Sequence, residues 1–104
     1  INETTARGLF LILNAIARGQ AVSKAASERM VEVLAAQEFN GGIPRGLPPG
    51  TRIAHKTGTI TRVHHDAAIV YGDSPCVLVI LTRGIEKEAG SDALIARITK
   101  ALLP

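Results

Sequence analysis

Apolar residues recur every three or four positions through the first third of the chain. Ala6, Leu9, Phe10, Leu13, Ile16 and Ala17 fall on one face of a helix that an Asn2 or Thr4 cap opens and that runs to about Arg18. Gly19 stands where a helix stop belongs. Ser23 reads as the next cap, and the stretch 24–37 carries Ala26, Met30, Val33, Leu34 and Gln37 along one side, with Met30 as core filling. The helical period breaks at 40–50, where four glycines and three prolines predict a loop. Extended strands follow at 51–59 and 63–71, and Gly72-Asp73-Ser74-Pro75 predicts a hairpin turn into an almost wholly apolar strand at 76–82. The last helix spans 91–103, capped by Ser91 or Asp92, with Leu94, Ile95, Ile98, Ala101 and Leu102 on its apolar face.

The expected fold class is therefore α+β: two N-terminal helices, a three-stranded antiparallel meander and a covering C-terminal helix. That order creates a conflict. The strand 76–82 has the composition of a strand buried on both faces, yet a meander leaves it at the edge, where an uncharged apolar strand invites pairing. The first helix, rich in Leu and Phe, needs a partner surface as well. The chain reads as a single partial domain spanning 1–104, and its start at Ile1 as that of an excised or processed piece.

Composition narrows the function classes. With 46% apolar residues the chain has enough to fold, but only 3% are aromatic, so platforms for stacking nucleic-acid bases are lacking. The net charge of +3 is scattered and makes no basic stripe, which excludes nucleic acid as an expected partner and slightly favours small anions. No apolar run reaches membrane-spanning length. The lone Cys76 has no partner and no activating neighbour in sequence, and reads as a small buried residue.

Candidate chemistry concentrates at the end of the first strand. Lys56, Thr57 and Gly58 place a cation, a hydroxyl arm and a side-chain-free position in a row, suited to an anion. Alone, the tripeptide is better read as a strand tip with an exposed lysine and a turn glycine. No nucleophile accompanies it: the residues three after Ser23, Ser27, Ser74 and Ser91 are Ala26, Met30, Val77 and Leu94, so no Ser-x-x-Lys pair exists. His64 and His65 are strand neighbours and point to opposite faces, so no metal site, and no cofactor, is expected. Asp66 is placed to accept a hydrogen bond from an imidazole or from Arg62.

Taken together, the motifs resemble the C-terminal part of class A β-lactamases and penicillin-binding serine hydrolases. The resemblance rests on an ordered set: Asn2-Glu3-Thr4-Thr5, Ser23-Lys24-Ala25-Ala26-Ser27, Gly46-Leu47-Pro48-Pro49-Gly50, His55-Lys56-Thr57-Gly58-Thr59 and His65-Asp66-Ala67-Ala68-Ile69-Val70. It implies that Lys56 supplies positive potential and that Thr57 binds the substrate carboxylate. Gly58 would permit close approach, and the Thr59 N–H would serve as an oxyanion-hole donor. Where many family members carry an arginine on the next strand, this chain has His65, with Arg62 nearby in the turn. The resemblance further implies an exported bacterial protein, periplasmic or extracellular, whose N-terminal strands cover the apolar edge and whose nucleophile precedes this segment.

Three readings follow. The chain is one part of a β-lactamase-like acyl-serine hydrolase, inactive alone, acting in the intact protein on a β-lactam or related amide. Alternatively it is a noncatalytic module that holds a carboxylate-bearing ligand, or a structural fragment that closes its open edge by self-association into a homo-oligomer.

Overall fold

The computed structural model describes residues 3–103. Helix α1 spans Ala6–Ala17 and α2 spans Lys24–Ala35. A short 3-10 helix, Ile43–Gly46, follows, then strands β1 (Arg52–Ile60), β2 (Val63–Tyr71) and β3 (Cys76–Arg83), and helix α3 (Glu88–Leu102). The α+β architecture is the expected one, with local corrections. Thr5, not Thr4, caps α1, its hydroxyl accepting the Gly8 N–H at 2.9 Å; the alternative cap, Asn2, lies outside the described residues. Ser23 caps α2 as anticipated, accepting the Ala26 N–H at 3.0 Å. That helix stops two residues before Gln37 and turns Val33 outward, while Val31 joins Met30 and Leu34 in the core.

Helix α3 departs most from expectation. It begins at Glu88, three residues before the anticipated start, so neither Ser91 nor Asp92 is its cap; Lys87 holds the cap position without a side-chain bond. Its buried stripe is Ser91, Ile95, Ala96 and Thr99, with Leu94 and Leu102 exposed. Two hydroxyls in that stripe are satisfied locally or across the core, Thr99 by donating to the Ile95 carbonyl at 2.8 Å. The stripe is therefore rotated from the one that apolar spacing alone predicts.

The strands pair in the order β1-β2-β3, all antiparallel, which leaves β1 and β3 as edges. Side chains alternate between two faces. One face packs Ala54, Ala67 and Ile69 against Leu13 and Ile16 of α1, with Met30 and Leu34 of α2 beside them. The other packs Ala68, Val70 and Ile80 against Ile43 and Ile95. The 3-10 helix reaches α3 because Gly46 has no side chain: a Cβ there would sit 2.3 Å from the Ala96 carbonyl oxygen and 2.7 Å from Thr99 Cβ.

Strand β3 shows the conflict read in the sequence. Val77, Leu78, Val79 and Leu81 remain only half-buried, where an internal strand of this composition would be covered on both faces. On α1, Phe10, Leu11 and Ile12 are 40%, 54% and 58% exposed.

Candidate functional site

The Lys-Thr-Gly segment lies in the C-terminal half of β1, on the edge away from β3. Register sets what each residue faces. Thr57 pairs with Asp66, Gly58 with His65 and Thr59 with His64. Since paired residues share a face, His55, Thr57 and Thr59 stand in a row beside His64 and Asp66, on the side covered by α3 and the 3-10 helix. Lys56, Gly58 and His65 stand on the opposite side. Lys56 is exposed, and its ammonium donates to the Thr57 carbonyl at 2.5 Å.

Behind Thr57 is a closed polar network. His55 and Asp66 are each 1% exposed. His55 Nδ1–H donates to Asp66 Oδ1 at 2.9 Å, and Asp66 Oδ2 accepts the Ile43 N–H at 3.0 Å. His55 Nε2 lies 3.2 Å from Asn40 Oδ1, and the Asn40 amide donates to the Glu38 carbonyl at 3.2 Å. Of the two donors weighed for Asp66, the imidazole is the one it takes. The loop carrying Ile43 comes this close because Gly41 and Gly42 lack side chains: a Cβ on either would lie 2.8 Å from a carboxylate oxygen, of Asp92 and Asp66 respectively. A second buried link joins His64 Nδ1 to Ser91 Oγ at 2.6 Å, while Thr82 Oγ donates to the His64 carbonyl.

Around this strand end opens a cleft of about 530 Å³. Lys56, Thr57, Gly58 and Thr59 form one wall, and the loop 38–42 with Glu88 and Asp92 forms the other. His65 borders it from the Lys56 side, its Nδ1 accepting the Thr82 N–H at 3.1 Å. Arg62 does not line the cleft; it occupies the hairpin turn with φ 58°, exposed, its carbonyl accepting the Gly84 N–H. The cleft thus joins a cationic and hydroxyl-bearing strand to an acidic wall.

Sequence reasoning missed that acidic wall. Asp92 was expected to cap a helix; it lies instead one turn inside α3, half-buried above Gly41. Burial, then the nearby Glu88 and Asp66 carboxylates, raise its pKa above the ordinary range, against opposing contributions from His64 and Arg45. An acid whose folded pKa is raised binds more protons folded than unfolded, so its contribution to stability falls as pH rises from about 4 through the folded value. Asp92→Asn should accordingly melt higher than the parent at pH 7, and this advantage should vanish at pH 3. Thermal unfolding across that range checks it; an equal difference at both pH values would contradict the assignment. The residue's only sequence signal was its place one turn into a helix whose start was set too late.

The layered α+β fold is that of the β-lactamase-type serine hydrolases. The family model for the beta-lactamase enzyme family matches residues 1–104, and the chain belongs to that family. No curated protein matches it. Among solved structures, a β-lactamase from Sphaerobacter thermophilus DSM 20745 is 26% identical, with a TM-score of 0.86 over 92% of this chain and 38% of its own. An ancestral class A β-lactamase is 27% identical (TM-score 0.86, 96% and 40%). A mutant of PBP-A, captured as an acyl-enzyme complex with penicillin G, is 26% identical (TM-score 0.88, 95% and 38%). This chain spans about two fifths of the length of those structures.

Proposed function

We propose that this chain supplies the carboxylate-binding wall of an acyl-serine site that acts on a β-lactam or a related amide. The observation that carries the reading is the free β1 edge: in a member of this family, Lys56, Thr57, Gly58 and Thr59 line an open cleft. Lys56 supplies positive potential and Thr57 Oγ donates to the substrate carboxylate. His65 stands beside Gly58, on the Lys56 side, as a further contact for that carboxylate, while Arg62 acts at most through its charge. Gly58 leaves the strand open, since a Cβ there would meet nothing within 4 Å. The Thr59 N–H is one of the oxyanion donors, a role worth roughly 3–4 kcal/mol in hydrolases. The nucleophile and its base come from sequence outside these 104 residues, which contain no Ser-x-x-Lys pair.

Two assays test this. Benzylpenicillin, titrated against the chain and followed by the amide shifts of Thr57, Gly58 and Thr59, should bind, and Thr57→Val should weaken it roughly ten- to a hundredfold, the value of a hydrogen bond to a charged group. Unchanged affinity in Thr57→Val would remove the carboxylate role. A chromogenic cephalosporin should not be turned over by the chain alone; turnover would show that it holds its own nucleophile.

The same reading makes the half-buried β3 edge a pairing surface for the preceding strands of the intact protein. Without them, the chain should self-associate through that edge. Sedimentation at tens of micromolar should show species larger than a monomer, and a strictly monomeric, cooperatively folded chain would refute this.

A further inference from the structure

Thr57 and Asp66 face each other across β1 and β2 on the same side of the sheet. Residues so paired bring their Cβ atoms to roughly 4.5–5.5 Å, close enough for a carboxylate to take a threonine hydroxyl as donor. That bond is not made. Among the described residues, the Thr57 hydroxyl has no hydrogen-bond partner, while Asp66 is bound at both oxygens, Oδ1 by His55 Nδ1–H at 2.9 Å and Oδ2 by the Ile43 N–H at 3.0 Å. One donor comes from β1, two residues before Thr57; the other comes from the first residue of the 3-10 helix, just beyond Gly42. The two donors fix the orientation of a carboxylate that is otherwise enclosed.

We infer that His55 is a positioning residue: by holding Asp66, it keeps the Thr57 hydroxyl free to donate to the carboxylate of a ligand. The inference rests on the proposed carboxylate role of Thr57 and adds the residue on which that role depends. His55 has no contact with the cleft's ligand space and does not line it. Its effect runs through Asp66. When His55 is removed, Oδ1 loses its donor, and the hydroxyl that stands opposite Asp66 across the strand pair is that of Thr57. A carboxylate that captures this hydroxyl withdraws a donor from the ligand and presents a negative charge to an anionic one.

The test uses the full 104-residue chain with benzylpenicillin as the probe, read by the amide shifts of Thr57, Gly58 and Thr59. His55→Leu should weaken binding about tenfold, the loss of one charge-assisted hydrogen bond. His55→Asn should bind within about threefold of the parent, because its amide nitrogen stands where Nδ1 stood and still donates to Asp66. The double variant His55→Leu/Asp66→Asn should also bind within about threefold, because the asparagine carbonyl keeps the Ile43 N–H while its NH2 group, which cannot accept, leaves the Thr57 hydroxyl free to donate. A purely structural role predicts the opposite order, with the double variant worse than the single. Parent-like binding by His55→Leu, or a tenfold loss in the double variant, overturns the inference. Should His55→Leu fail to fold, the asparagine and double variants decide by the same criteria. Thr57→Val separates the two levels: if it binds like the parent, the carboxylate reading itself fails, whereas its loss of binding beside a parent-like His55→Leu sinks the positioning role alone.

Discussion

Gly46→Ala is expected to destabilise this chain by about 3 kcal/mol, at the upper end of ordinary overpacking costs. The added methyl carbon would sit 2.3 Å from a backbone oxygen of α3 and 2.7 Å from Thr99 Cβ. Neither is the far end of a flexible side chain. Thr99 is fully buried and its hydroxyl is committed to the Ile95 carbonyl, so relief requires the 3-10 helix to lift off α3. That movement would uncover Ile43, which is wholly buried against Ile95. For a domain of this size, the loss corresponds to a melting temperature lower by roughly 12–24 °C. Gly72→Ala is the control, since a Cβ there meets nothing within 4 Å. Thermal unfolding of the two variants, measured side by side, should separate them; a shift under a few degrees for Gly46→Ala would contradict the packing described here.

The contrast between these two glycines marks where the sequence is readable. Strand β2 runs from Val63 to Tyr71 as expected, because its flanking turns are written in local residues. The Ser23 cap is equally local: the hydroxyl and the amide it accepts are three residues apart. Helix α3 is where local reading fails. Ser91-Asp92 looks like a helix start, but the Ser91 hydroxyl is spent on His64, 27 residues earlier in the chain. A polar residue satisfied at long range counts as a core residue, and no periodicity of apolar side chains reveals it. The misplaced start then hid Asp92, and with it the acidic wall of the cleft.

The candidate site divides in the same way. The Lys-Thr-Gly strand was visible because its residues are consecutive. The apolar composition of β3 was visible as well, and the half-buried edge in the structure is the form it takes without a further strand. The alternation rule correctly sent His64 and His65 to opposite faces. It could not show that His55 would find Asp66, nor that Asn40 and Ile43, from a glycine-rich loop, would complete the arrangement. Loop residues carry no period from which a contact is read, and Gly41 and Gly42 act by the room they leave.

Asp66→Ala should therefore have an effect as large as that of Gly46→Ala, through polar satisfaction and not through packing. It strips two buried donors, the His55 Nδ1–H and the Ile43 N–H, of their common acceptor. A buried group left unsatisfied costs about 1–3 kcal/mol, and here two are stripped of their acceptor at once. We expect about 4 kcal/mol from urea unfolding, with an unchanged denaturant slope because the surface exposed on unfolding is the same. Asp66→Asn should recover only part of this loss. Its single carbonyl oxygen serves one of the two donors, and its amide turns an N–H toward the other. The ordering is the discriminating result. If Asp66→Asn is as stable as the parent, one of the two hydrogen bonds is dispensable. If Asp66→Ala is mild, the network does not hold the loop to the strand. The predicted order makes a single carboxylate the joint between β1, the strand that carries Lys56 and Thr57, and the loop that walls the other side of the cleft.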